Sequence, residues 1–285
     1  MKQHLRLAVC QPLAAPTERR CDNVPRAIEL IARGAAAGAE LVVFPEHSPG
    51  PFLPGEDFDA TSAMIEAAKT HQVAVLWSRM EHCPDDRWRL VVYAHGPDGA
   101  QLIRYERTHP ATVPACDTGA PVAPGEQLGL FNYAGVRFGI AVCSELWIPE
   151  TTRCLALAGA EVILSPAGGH FTSLTANWQV IARARAIENL CHVVLTNNLY
   201  GVESGAALIA GPEHVLAAGG HEEIFVATCD LARARWLRDT DDSLAEPKPF
   251  DSIPGLLRAR RPALYQALVT PRPDDFDYHR AGDLQ

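Results

Sequence analysis

Short apolar runs alternate with longer amphipathic stretches along most of this chain, and turn residues punctuate them. Leu5-Arg-Leu-Ala-Val-Cys10 begins with apolar and polar positions in alternation and predicts a strand. Asn23 is the expected N-cap of a helix running through Arg33, with Pro25 in its first turn and Ile28, Leu30, Ile31 and Ala35 as its apolar surface. Gly38 ends that helix, and Glu40-Leu-Val-Val-Phe44 predicts a compact buried strand. A second helix over about 60–70 leads to a strand at Val73–Trp77. Leu90–Ala94 and Ala100–Tyr105 flank Gly96-Pro-Asp-Gly99, a hairpin signal.

Gly139-Ile-Ala-Val-Cys143 is an apolar run that stops at a cysteine, followed by a polar turn and by Pro149, where a helix starts. The helix–strand rhythm then continues through Thr151–Ala158, Val162–Ser165, a long helix over 174–190 and a strand at His192–Thr196. Ala206–Ala210 and Ile224–Cys229 read as a further strand pair. Parallel crossovers mixed with hairpins indicate an α/β fold with mixed sheets. The expected organisation is a main domain over 1–240 and an extension over 241–285 that is rich in Pro, Asp and Arg and has little core of its own.

With 47% hydrophobic residues in 285, the chain can bury a sizeable core. Its formal charge of −9, without a Lys/Arg-rich run, argues against a nucleic-acid partner. No apolar stretch reaches the length of a membrane span and no signal-peptide pattern opens the chain, so a cytoplasmic protein is expected. The eight cysteines are scattered without a C-x-x-C pair, which argues against zinc and a disulfide framework; no metal or cofactor is expected.

Two strand ends carry reactive groups. Val42-Val-Phe-Pro-Glu46 places a carboxylate just past a buried strand, and Gly139–Cys143 does the same for a thiol. In open α/β sheets, ligand crevices lie beyond the carboxyl ends of strands. A cysteine with a carboxylate base is a coherent acyl-transfer pair, and amides following the cysteine can face a developing oxyanion. Each residue alone also has a plain reading, as a buried core cysteine and an exposed loop acid.

The chain resembles the nitrilase, or carbon–nitrogen hydrolase, superfamily. The resemblance rests on Phe44-Pro-Glu46, Pro97-Asp-Gly99 with Tyr105-Glu-Arg-Thr-His109, and Pro124-Gly125. It continues in Cys143 with Pro149-Glu150, Ala184–Asn189 with Val193–Asn197, and Arg260–Tyr265. It implies a four-layer α-β-β-α sandwich with two mixed β-sheets and a Glu-Lys-Cys triad that hydrolyses small amides, ureas or nitriles through a thioester. Glu46 is then the general base, Cys143 the nucleophile, and the Ser144 N–H one oxyanion donor.

The family's lysine slot holds Arg107. Only Lys2, Lys69 and Lys248 are lysines among 25 basic residues, and none is placed to substitute. A guanidinium is planar, forked and always charged. Arg107 can serve as a fixed cationic oxyanion donor, or it can pair bidentately with Glu46 and blunt that base. Asp117 stands near the position of a second family glutamate. Leu146 and Trp147 follow the cysteine where relatives acting on carboxylate-bearing substrates often place arginine. Trp147 resembles the carbamoylputrescine-amidase branch, with a core or interface tryptophan as the alternative. His170, beyond the next strand end, is a candidate pocket residue or a solvated loop histidine; His47 stands in the same position beside Glu46, and His109 is expected to be structural. If a cationic neighbour favours the thiolate, Cys143 is expected to be alkylated first among the cysteines.

The expected function is therefore cysteine-dependent hydrolysis of a small amide or carbamoyl compound, neutral or cationic. The alternative is an altered homologue that performs another acyl transfer or binds a small ligand. Leu256–Leu257 and Ala263–Leu268 suggest an arm packed on a partner subunit, in a homodimer or larger assembly.

Overall fold

The computed structural model of the chain describes residues 1–15, 17–51, 56, 58–110, 122–169, 174–199, 205–221, 223–241 and 248–278. Its first half runs β1 (His4–Cys10), α1 (Asn23–Ala36), β2 (Leu41–Val43), α2 (Thr61–His71), β3 (Ala74–His82), β4 (Trp88–His95) and β5 (Gln101–Glu106). The second runs β6 (Gly129–Tyr133), β7 (Val136–Ile140), α3 (Pro149–Leu157), β8 (Val162–Pro166), α4 (Thr175–Asn189) and β9 (His192–Thr196). It ends with β10 (Leu208–Ala210), β11 (Val215–Ala218), β12 (Ile224–Asp230) and α5 (Leu231–Asp239).

The strands form two six-stranded mixed sheets, ordered β12-β1-β2-β3-β4-β5 and β11-β10-β9-β8-β7-β6. The central trios β1-β2-β3 and β7-β8-β9 are parallel and the flanking pairs are antiparallel. Period-two patterning explains the layers. Leu5, Leu7 and Val9 of β1 face Phe138, Ile140 and Leu164 of the other sheet, forming the central core. The alternate residues Ala8, Val42, Phe44 and Val75 face Leu30 and Ile31 of α1 and Met64 of α2. On the far side, Ile163, Val193 and Leu195 pack against Leu155 of α3 and Trp178, Ala182 and Ala186 of α4. This is the expected α-β-β-α sandwich.

Two local expectations change. Ile224–Asp230 does not pair with Leu208–Ala210; it returns to the first sheet and runs antiparallel to β1, while β10 pairs with β9 and β11. Asn23 is not the cap of α1. The cap position is Asp22, which makes no side-chain capping bond, and the Asn23 side chain instead accepts from the Ala15 N–H at 3.0 Å. Residues 231–239, at the border of the expected extension, form a helix capped by Asp230, whose side chain accepts from the Arg233 N–H at 2.8 Å. Beyond it, residues 248–278 carry two short 3₁₀ turns, Pro262–Leu264 and Gln266–Leu268, and are largely exposed.

Candidate active site

The carboxyl ends of β2, β5, β7, β8 and β9 converge, and three side chains meet there. Glu46 follows β2 and is 3% exposed. Its N–H donates to the Ala167 carbonyl beyond β8 at 3.3 Å, and the Asn198 amide beyond β9 donates to its carbonyl at 3.2 Å. Arg107 leaves β5 and is 5% exposed. Its N–H donates to the Leu90 carbonyl at 3.0 Å, and its carbonyl accepts from the Gly125 N–H at 2.9 Å. A Cβ on Gly125 would lie 2.3 Å from the Glu106 carbonyl oxygen, so only glycine allows that approach.

Cys143 opens a 3₁₀ turn, Cys143–Trp147, with φ 51°. That left-handed backbone is costly for a residue with a side chain. It ends the strand direction abruptly and leaves the thiol half-buried at the sheet edge. The thiol lies close enough to the Glu46 carboxylate and to the Gly168 N–H for both to act on its titration. A Cβ on Gly168 would meet the Glu46 carbonyl oxygen at 3.0 Å and Oε2 at 3.3 Å, so this loop lies tightly against the carboxylate.

The Arg107 fork spans the site. Nη1 donates to Glu46 Oε1 at 2.7 Å, and Nη2 donates to Ser144 Oγ at 2.6 Å. The contact with Glu46 is therefore through one nitrogen, not the bidentate pair considered from sequence. Burial opposes the arginine charge, but Glu46 and neighbouring groups keep it protonated. Burial, then the Glu46 charge, push the Cys143 thiol up to about 12, against the opposing pull of Arg107. Desolvation therefore outweighs the neighbouring cation, and the condition under which Cys143 is expected to be alkylated first is not met. Burial lowers the pKa of His47, whose Nε2 lies 3.8 Å from Glu46 Oε1, against the opposing pull of that carboxylate.

Trp147 is half-buried and packs edge-on against Trp178 of α4, ring centroids 5.3 Å apart, within the helix-facing layer of the second sheet. Arg185 of α4 steadies the Cys143–Trp147 turn by donating to the Leu146 carbonyl at 2.9 Å and the Trp147 carbonyl at 3.1 Å. His109 hydrogen-bonds Thr108 through Nδ1 at 2.8 Å and stacks edge-on with Tyr278. Asp117 and His170 lie outside the described residues.

Glu145 is a further site residue that the sequence pattern does not single out. It is fully buried and accepts from Val142 N at 2.6 Å, Thr108 N at 2.8 Å, Thr108 Oγ1 at 2.6 Å, His109 N at 3.0 Å and Tyr105 OH at 2.9 Å. Burial works to raise its carboxyl, but His109, the Arg107 charge, Thr108 and Val142 outweigh it and hold the group below the usual range. The sequence signal was an acid two residues past an apolar strand, a position that more often reads as exposed.

A family model described as carbon–nitrogen hydrolase matches residues 6–239. The omega-amidase of Xenopus laevis is 23% identical over 257 residues, covering 82% of this chain and 91% of that protein. The omega-amidase of Homo sapiens is 25% identical over 242 residues, covering 77% and 87%. Among solved structures, an amidase from Nesterenkonia AN1 superposes with a TM-score of 0.75 at 21% identity, covering 94% of this chain and 98% of that one. A carbon–nitrogen hydrolase from Helicobacter pylori G27 gives 0.79 at 20% identity, covering 94% and 99%.

Proposed function

The chain belongs to the carbon–nitrogen hydrolase family, and from that premise we propose that it hydrolyses small amide or carbamoyl compounds through a thioester on Cys143. The observation that carries this reading is the meeting of the Cys143 thiol, the Glu46 carboxylate and the Arg107 guanidinium at one edge of two sheets. With the thiol pushed up to about 12, the protonated form prevails at neutral pH, so proton transfer to Glu46 accompanies attack. Sulfur bonds to the carbonyl carbon, and the carbonyl π electrons move to oxygen. A guanidinium has five N–H donors, and two of those of Arg107 are engaged by Glu46 and Ser144. The Nε–H is buried, so the oxyanion is assigned to the second N–H of Nη1 or Nη2 together with the Ser144 N–H. Collapse breaks the C–N bond, and the departing nitrogen takes the proton from Glu46. Water then gives a proton to Glu46 and attacks the thioester, releasing the acid and restoring the thiol.

Amidase relatives support an amide substrate. Leu146 and Trp147 supply no cation after the nucleophile, which favours a neutral or cationic one. The second reading, an altered homologue that binds without turnover, is favoured by the Arg107–Glu46 hydrogen bond, which occupies a lone pair of the base. Ammonia release from a panel of aliphatic amides and carbamoyl amines tests the two. Turnover lost in Cys143→Ala supports hydrolysis; saturable binding without ammonia release supports the alternative.

The exposed apolar side chains Leu264, Leu268 and Val269 support an arm that packs on a second copy in a homodimer or larger assembly.

A further inference from the structure

The two halves of the site stand on different sheets. Glu46 and Arg107 leave the first sheet, and Cys143 leaves the second. The core between those sheets is apolar, and apolar contact is non-directional, so it does not by itself set the guanidinium against the thiol to within a fraction of an ångström. Directional bonds across the gap can.

Among the described residues, Glu145 accepts directional bonds from five donors. On the first-sheet side its carboxylate accepts from Tyr105, Thr108 and His109, which bracket Arg107 two residues before and one and two residues after. On the second-sheet side it accepts from the N–H of Val142, immediately before the nucleophile. Its own N–H donates back to the Val142 carbonyl at 3.0 Å, closing the turn. Every one of these partners donates to the carboxylate. A carboxylate oxygen accepts several such bonds, whereas an amide or a protonated acid would turn a hydrogen toward another donor.

We infer that Glu145 is a positioning residue: an anionic clasp between the two sheets that holds the Arg107 guanidinium in register with Cys143. The inference rests on the reading of Arg107 and Cys143 as reacting groups. Glu145 itself does not touch the substrate; it acts through the backbone on both sides of the gap.

The test uses Glu145→Gln in the full chain. The replacement keeps the shape but faces one donor with another. The expected result is a kcat lower by about tenfold or more with KM changed by less than about threefold, because the defect lies in transition-state alignment. A second readout needs no substrate. Arg107 pulls the Cys143 thiol downward. Its displacement therefore slows iodoacetamide labelling of Cys143 at pH 9, while exposed Cys21 and Cys154 react at the wild-type rate. A merely structural role would lower thermal stability and leave both the kcat–KM split and the labelling profile as in wild type; that result overturns the inference. Tyr105→Phe and Thr108→Val each remove one donor without changing charge and serve if Glu145→Gln does not fold. Each is expected to lower kcat several-fold, on the order of one charged hydrogen bond's effect, and wild-type kcat and labelling in both would overturn the inference equally. If wild-type protein turns over no amide yet the variants slow Cys143 labelling, the amidase reading fails and the clasp stands.

Discussion

Replacing Arg107 by alanine separates the electrostatics of this site from its chemistry. The guanidinium is 5% exposed and the carboxylate it contacts is 3% exposed, so neither has water as a ready substitute partner. Removing the arginine leaves Glu46 as an uncompensated buried charge, and breaking such a pair costs about 3–5 kcal/mol. At about 2–4 °C per kcal/mol for a domain of this size, Tm should fall by on the order of 10 °C. Loss of an oxyanion donor should separately lower kcat by about 10²–10³. Arg107→Lys keeps the charge but has three donors on a flexible stem and cannot span Glu46 and Ser144 as a planar fork. It should lose less stability and retain measurable turnover. Thermal melts followed by circular dichroism, paired with initial rates of ammonia release, read both effects. An Arg107→Ala protein with Tm within about 1 °C of wild type and undiminished turnover would refute the reasoning. A rise in activity in Arg107→Lys would instead identify the ion pair as an inhibitory lock on the base.

Three other outcomes follow from the structure. Near neutral pH, iodoacetamide should modify exposed Cys21 and Cys154 before Cys143, and the Cys143 rate should climb about tenfold per pH unit toward its pKa near 12; a flat profile above pH 8 would contradict the raised value. His192, 2% exposed, has its pKa lowered to about 4 chiefly by burial, against about 6.5 unfolded; its contribution is complete above pH 6.5 and lost as pH falls toward 4, for about 3 kcal/mol in all. Urea midpoints should therefore decline more gently between pH 6.5 and 4 in His192→Asn than in wild type, and parallel curves would refute this. Light scattering should report a dimer or larger species, and truncation before Arg260 should shift it toward monomer; a wild-type monomer at micromolar concentration would remove the basis for the arm.

Much of the fold is written in local patterning. Leu5, Leu7 and Val9 repeat with period two and do face the opposing sheet. Partner choice was harder to read. Ile224–Asp230 lies close in sequence to Leu208–Ala210, so a local pairing was the economical expectation; the chain instead crosses to β1, because closing the first sheet's edge is a long-range matter. The strand Gly129–Tyr133 leaves little trace in the pattern, since it is short and carries a polar Asn132. At the site, Glu46, Arg107 and Cys143 were legible because each terminates or follows an apolar strand. Glu145 was not, because burial of an acid becomes reasonable only when its five surrounding donors are seen together. The thiol's high pKa was hidden for the same reason: sequence shows a cation near the cysteine but not the desolvation that outweighs it.

The central claim is covalent catalysis at Cys143, and intact-protein mass spectrometry with a hydrolysable amide tests it most directly. Rapid acid quench of the wild-type protein during turnover of a slowly hydrolysed amide should trap the acyl-enzyme before water attacks it, whereas Glu46→Gln, which lacks the proton acceptor for the thiol, should form none. The predicted result is a mass increase equal to the substrate's acyl group, mapped by peptide analysis to Cys143 and absent in Cys143→Ala. Ammonia released by wild-type protein with no quenched adduct on Cys143, or with an adduct on another residue, would contradict the account.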